Sequence, residues 1–306
     1  MRALSIPQSS IKSPLPYIVL GLGILSLSMS AMFVRWANAP GPITSFYRLF
    51  IAALIMAPFF AILWGKKDHT IKMEHIIFPV IGGVASGFDL ALWSTSLSYT
   101  TASNASLIGN TAPLWVALAG VIIFRNRLKR DFWIGLILAM SGAVFIMGSD
   151  FLTSHRFGVG DLMALGSSFF YAGYYLSTEA GRKFIDTLSY TWIAVVTETT
   201  TLFFINVILK NDFTGYSSQT WLAFFGSAIF SQIIGYLSIS YALGHLPASV
   251  VSPTMILQPV MTTILAIPLL GEVPLPNQLL GGIIVLIGIY LVNKAHIKTT
   301  KTESHS

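Results

Sequence analysis

Eighteen consecutive residues from Leu107 to Phe124, LIGNTAPLWVALAGVIIF, carry no charge. This is one of ten apolar segments that fill most of the sequence, at about 17–36, 42–64, 75–98, 101–124, 132–149, 158–180, 188–209, 219–243, 247–270 and 277–293. A helix needs roughly 20 apolar residues to cross the hydrocarbon core of a bilayer. The segments are long and continuous rather than alternating with period two, which excludes a transmembrane β-barrel. Only 10% of the residues are charged, against roughly 25% in a soluble domain, and no room remains between the segments for one. The expectation is an all-α integral membrane protein with ten transmembrane helices.

The first segment follows Arg2 and Lys12 and carries SMSA, a stretch of small residues at a potential cleavage point. Its apolar run exceeds the 7–15 residues usual in a signal peptide, so it is read as a retained span. The sequence has no cysteine, which excludes disulfides, thiol catalysis and cysteine metal sites. The net charge of +6 is distributed as a topology signal rather than as a nucleic-acid surface. With the N-terminus placed in the cytoplasm and the sides alternated, 14 Lys and Arg fall inside. Only Arg35, Arg156 and Lys210 fall outside, and Arg48 lies within a span. That asymmetry obeys the positive-inside rule and puts tails 1–16 and 294–306 in the cytoplasm.

Leu97–Ile146 can be laid over Leu243–Val292 without a gap. Pro113 then falls on Pro259, Ala102, Ser103 and Ser106 on Ala248, Ser249 and Ser252, and Gly135 and Gly142 on Gly281 and Gly288. The chain therefore reads as two repeats, 17–149 and 158–293. Five helices per half is an odd number, so the second half enters the membrane upside down and gives an inverted-topology repeat. The loop FRNRLKRD of the first half carries four basic residues, while its counterpart LGEVPLPN carries none. Opposite charge in equivalent loops is expected if they lie on opposite faces. Inverted repeats are typical of secondary transporters, and some channels have them too.

The stretch DLALWSTSLSYTTASNASLIGNTAPLWVALAGVIIF, ending near NRL, resembles the third and fourth helices of the EamA type within the drug/metabolite transporter superfamily. PGPITSFYRLFIAALIMAP resembles the second helix of that family, and ASVVSPTMILQPVMTTILAIPLLGEVP its ninth. The resemblance spans about residues 15–293. It implies two inverted five-helix repeats, a central cavity, a location in a cell membrane such as the bacterial inner membrane, and export or exchange of small metabolites. The first repeat departs from the family in having Arg125-Asn126-Arg127 where Gly-Glu-Arg is frequent, and only Glu272 keeps the acid.

Ionisable residues within a span are costly and usually face the bundle interior. Asp89 sits mid-span on one helical face with Gly82, Ser86, Trp93 and Ser96, a face suited either to a cavity wall or to interhelical hydrogen bonds. Arg48 either snorkels to a headgroup or forms an anion site or a partner for Asp89 or Glu198. Glu198, flanked by threonines, is a cavity group or an interhelical bond. Trp93, Tyr171, Tyr174 and Tyr175 offer a stacking surface for a planar or cationic substrate, or line an ordinary bundle. Asn104, Asn110, Gln232 and Gln258 are candidate hydrogen-bonding groups at cavity depth, with helix–helix bonding as the alternative. Glu179, Arg182 and Lys183 read as a solvated cluster at a helix end. Pro113 and Pro259 read as paired kinks that free carbonyls near Gly109 and Met255. The spaced glycines read as close packing, within the chain or in a homodimer.

None of the six histidines has a partner at metal-ligand spacing, and there is no phosphate-cradling glycine loop or Walker motif. No enzyme, metal or cofactor is expected. The partners expected are a small-molecule substrate, protons or a counter-substrate, and the lipid bilayer. The reading is a transporter of small organic metabolites such as amino acids. A sugar-phosphate or nucleotide-type exchanger is the alternative, although it would want more cavity cations than Arg48 alone. A channel, receptor or scaffold is the non-transport alternative.

Overall fold

The computed structural model describes residues 14–65, 71–96, 98–100, 102–125, 128–147, 158–270 and 275–303, and every regular element among them is helical. In the first half these are α1 (Leu15–Ser28), α2 (Ser30–Ala37), α3 (Gly41–Trp64), α4 (Met73–Ser96), α5 (Ala102–Gly109), α6 (Ala112–Ile122) and α7 (Arg130–Met147). The second half has α8 (Val159–Gly181), α9 (Thr187–Ile208), α10 (Ser218–Ser227), a π-helical segment (Ala228–Tyr236), α11 (Leu237–Leu243), α12 (Ala248–Thr254), α13 (Leu257–Leu270) and α14 (Pro276–Glu303).

Seven helical stretches are long and apolar enough to cross a membrane: Gly41–Trp64, Met73–Ser96, Ala105–Ile122, Thr187–Ile208, Ser218–Leu243, Ala248–Leu269 and Pro276–Ala295. The segments of the three other expected spans are helical as well, as the divided pair α1 and α2, as α7 with 18 residues and as the more polar α8 with 23, but they are not among the seven. Large apolar side chains point outward along these rods. Ile62 is 64% exposed and Leu222 73% exposed, a surface that lipid solvates and water does not. The chain is a multi-pass membrane protein.

Helix starts follow local chemistry. Asp186 caps α9 by accepting from Ser189 N at 3.0 Å, and Ser217 caps α10 by accepting from Thr220 N at 3.2 Å. Both supply acceptors for backbone N–H groups that have no intrahelical partner.

The paired prolines behave differently from kinks within continuous helices. Both helices are interrupted. Pro113 stands at the second position of α6, after a gap at Asn110 and Thr111. Pro259 stands at the third position of α13, after a gap at Met255 and Ile256. A proline near a helix start loses no hydrogen bond, because that N–H has no partner there. Tighter turns take up the neighbouring carbonyls: Thr111 N bonds Ile108 O at 3.0 Å, and Gln258 N bonds Met255 O at 2.9 Å. The Met255 carbonyl expected to be free is therefore occupied. A third interruption, at Met29, divides α1 from α2. Ser28 Oγ donates back to Ile24 O at 2.7 Å, a bond that bends helices.

The two halves pack by exchange of equivalent elements. α8 lies against α4, as α1 lies against the π segment and α11. Likewise α8 meets α5 and α6, while α1 meets α13. Equivalent helices that touch each other run antiparallel. Near one end of the α3–α9 pair, Asn206 Nδ2 donates to Pro42 O at 3.1 Å. At the middle of α3, Trp192 Nε1 donates to Ala53 O at 3.0 Å. The α7–α14 pair is closer. A Cβ on Gly135 would stand 2.7 Å from Gly288 O, and one on Gly142 would stand 2.7 Å from Gly281 O. The glycine stripes are thus used within one chain, where small residues let backbones approach in lipid.

Candidate functional site

The buried charges gather where α3, α4, α8, α9 and the π segment meet. Asp89 on α4 is 7% exposed and accepts a 2.5 Å hydrogen bond from Ser167 Oγ of α8. Glu198 on α9 is 2% exposed and accepts a 2.5 Å bond from Ser86 Oγ of α4. The polar face of α4 predicted from sequence is therefore wedged between two helices, with Ser86 turned to α9 and Asp89 to α8. Gly82 makes room in that seam: a Cβ there would stand 2.8 Å from the Tyr190 hydroxyl.

Arg48 on α3 is 6% exposed. It is buried and does not snorkel. Among the described residues no ion pair within 4.0 Å joins it to Asp89 or Glu198. Nη1 donates a long bond of 3.4 Å to Ser30 Oγ, just past the interruption at Met29. Nε and Nη2 have no hydrogen-bond partner among the described residues. An unpaired buried donor costs about 1–3 kcal/mol, and more when charged, so this edge is poised for an acceptor.

Aromatic groups close over the charges. Tyr171, half-buried, lies 4.5 Å from Tyr175 and 6.0 Å from Tyr174 between ring centres, and Tyr174 meets Tyr236 edge-on at 5.7 Å. Gln232 Oε1 is buried without a hydrogen-bond partner among the described residues. The π segment that carries Gln232 and Tyr236 turns more widely than an α-helix, and such segments recur at functional sites.

Two of the helix interruptions are clasped by serines. Ser28 Oγ donates to Gln258 O at 3.2 Å, Gln258 Nε2 to Leu27 O at 3.4 Å, and Thr262 Oγ1 to Ser28 O at 3.3 Å. In the other half, Thr111 Oγ1 and Trp115 Nε1 both donate to Ser168 Oγ at 2.9 Å. Gln258 thus ties α13 to the end of α1. Trp93, half-buried, lies across the other interruption, its Cδ1 3.6 Å from where a Cβ on Gly109 would stand.

The structure brings together Arg48, Asp89, Glu198, Tyr171 and Tyr175, while Gln232 is buried on the π segment. Trp93, Asn110, Gln258, Pro113 and Pro259 sit at or beside the interruptions. Asn104 lies on α5, but its side chain is outside the described residues, as are Glu272 and the Asn126–Arg127 pair. The Glu179–Arg182 cluster is a clasp rather than a solvated end. Glu179 Oε2 accepts from Ala248 N at 2.9 Å, and Arg182 donates to Ser240 O at 3.0 Å and also bonds Ile185 O and Thr187 Oγ1. Ser30, Ser167, Ser168 and Tyr236 escaped the sequence reading. A hydroxyl within an apolar run is unremarkable until its partner helix is known. Among the described residues no group of three His, Asp or Glu could hold a metal ion.

A profile of the EamA-like transporter family matches residues 15–148 and again 158–294. A protein from Archaeoglobus fulgidus, described as an uncharacterized transporter, is 28% identical over 81% of this chain and 86% of its own length. Probable purine permease 5 of Arabidopsis thaliana is 23% identical over 72% of this chain and 63% of its own length. A solved crystal structure with 14% identity superposes with a TM-score of 0.75, covering 90% of this chain and 96% of that one, which places the two in one fold.

Proposed function

The chain belongs to the EamA-like transporter family, and from that premise we propose that it is a secondary transporter of small organic metabolites such as amino acids or related compounds. Ten spans carry the chain across the cell membrane, the bacterial inner membrane, with residues 1–16 and 294–306 on the cytoplasmic side. The two halves lie in the bilayer in opposite orientations and alternate access to a site between them.

The observation that carries this reading is the buried Arg48–Asp89–Glu198 cluster, enclosed by equivalent helices of the two halves that run antiparallel. Charges are retained within a membrane where they bind or move something. Interrupted helices in both halves supply points of bending, as discontinuous helices do at midplane transport sites. The absence of a Walker motif from the sequence leaves a proton gradient or exchange as the energy source. A single buried guanidinium suits a monoanionic or zwitterionic group better than a sugar phosphate, which would call for several cations.

The test is flux in proteoliposomes. Purified protein is presented with a panel of amino acids, organic acids and purine bases, with and without an imposed pH gradient. Saturable uptake or exchange of at least one compound, absent from protein-free vesicles, is expected. Flux that is unsaturable, or equal to that of empty vesicles for the whole panel, would remove the transporter reading.

A further inference from the structure

We propose that the Glu179–Arg182 clasp is a latch that shuts the membrane face on which Lys183 lies, the cytoplasmic face in the topology above, and that it opens whenever the chain turns to that face. This rests on the transporter reading and names the contact that regulates access to its site.

The latch joins the last turn of α8 to the corner between α11 and α12. Arg182 Nε donates to Ser240 O at 3.0 Å, in the last turn of α11. Glu179 Oε2 accepts from Ala248 N at 2.9 Å, at the first residue of α12, where a helix leaves its N–H groups without partners of their own. One side chain holds the helix that enters the corner, and the other holds the helix that leaves it. Both bonds involve an ionised group, the stronger class of hydrogen bond. A Cβ on Gly244 would stand 2.8 Å from Arg182 Nη2, so the guanidinium rests directly on the backbone of the corner. Beneath it, Leu243, Leu246 and Ala248 are buried in one core with Leu20 of α1 and Tyr175 of α8. The leading helix of each half therefore closes on this corner.

The matching corner is held differently. In the repeat overlay Ala248 falls on Ala102, so the α11–α12 corner corresponds to the stretch between α4 and α5. There α8 makes contact through its first turn, with Thr100 Oγ1 donating to Asp161 Oδ1 at 2.7 Å. The counterpart of the last turn of α8 is the end of α2, and α2 lies against α10. The α11–α12 corner is thus covered from both halves, while at the α4–α5 corner the matching helix is turned to another neighbour. Opening the latch gives up little. Arg182 also bonds Ile185 O and Thr187 Oγ1 in its own loop, and those bonds travel with α8. Only the two bonds to the corner break, so the contact can release and re-form without local unfolding.

The experiment follows a cysteine buried under the latch. The sequence has none of its own, and Ser240 is wholly buried. Ser240→Cys therefore reports opening of the corner while its carbonyl stays available to Arg182. Labelling by a membrane-impermeant maleimide is timed in sealed vesicles of each orientation, with Lys183→Cys, exposed beside the latch, marking the face. Two substitutions are added to the reporter. Glu179→Ala removes one bond, and Gly244→Ala keeps both charged residues while pushing the guanidinium away. Each should speed labelling about fivefold or more from the Lys183 face, the effect of losing one hydrogen bond from a two-state balance, with no change from the other face. Gly244→Ala carries the comparison if Glu179→Ala does not elute as a monodisperse peak. Unchanged rates in both variants, or equal acceleration from both faces, would overturn the latch and leave a clasp that only holds the fold. Flux of any compound with unchanged labelling would keep the transporter and remove the latch. One-sided acceleration without flux of any compound would do the reverse.

Discussion

Gly135 and Gly288 meet backbone to backbone, a Cβ on either standing 2.7 Å from the carbonyl oxygen of the other. Seven residues along each helix, Gly142 and Gly281 make the same reciprocal contact at the same distance. Rising along α7 therefore means descending along α14. The reciprocal contacts relate these two helices by a local two-fold axis.

That contact leaves no space for a methyl group. Gly288→Ala would drive a Cβ into Gly135 O and into the Ala139 backbone, atoms that cannot swing aside. Overpacking of this kind costs about 1–3 kcal/mol. The variant should melt several degrees lower in detergent and yield less monodisperse protein. Gly21→Ala is the matched control. A Cβ there meets nothing within 4 Å, and alanine favours helix by up to about 1 kcal/mol, so its melting temperature should hold or rise. Equal behaviour of the two variants would contradict the packing account.

Asp89 and Glu198 lend themselves to an isosteric test. Asn in place of Asp89 keeps an oxygen able to accept from Ser167 while removing the charge, and Gln in place of Glu198 does the same toward Ser86. A purely structural acid would tolerate the change. A working acid would not, so each variant should elute normally, lose at least tenfold in flux, and lose its response to an imposed pH gradient. Wild-type flux with wild-type pH dependence in Asp89→Asn would leave that residue with a structural role only.

Much of the architecture is legible in the sequence because it rests on local or periodic signals. The apolar segments, the glycines seven apart and the twin prolines can be read from composition and spacing, and they fall where helices, a close crossing and two interruptions are found. The interruption at Met29 has no such signal. It lies in SLSMSAM, without proline or glycine, and depends on Ser28 bonding both within α1 and across to Gln258. The π segment is equally silent in the sequence. Arg48, Asp89 and Glu198 stand out as charges in apolar runs. Their arrangement does not, because it depends on how α3, α4 and α9 cross. The Glu179–Arg182 clasp was missed for the same reason: a charged cluster at a helix end reads as solvated until a neighbouring helix start is placed against it.

Orientation in the membrane can be tested directly, since the chain contains no cysteine to remove. Lys183, between α8 and α9, and Asp212, between α9 and α10, are both exposed, and they flank a single span. Single variants Lys183→Cys and Asp212→Cys should differ in intact cells. A membrane-impermeant maleimide should label Asp212→Cys and spare Lys183→Cys until the cells are permeabilised. The reverse pattern would invert the topology, and equal labelling of both would mean that α9 does not cross.

The two serine clasps yield the sharpest prediction. Ser28 holds the interruption before Pro259, and Ser168 holds the one behind Pro113. They are equivalent contacts in the two halves, so in an inverted pair they lie toward opposite faces. Each hydrogen bond is worth about 1 kcal/mol, and losing that amount shifts a two-state equilibrium about fivefold. Removing one clasp should favour opening to one side, and removing the other should favour opening to the opposite side. Asn110→Cys, half-buried at an interruption, provides the reporter in oriented vesicles. Adding Ser168→Ala should accelerate its labelling by an impermeant reagent from one side, and adding Ser28→Ala should slow it from that same side. Changes of the same sign, or no change in either, would show that the clasps hold the fold without governing access.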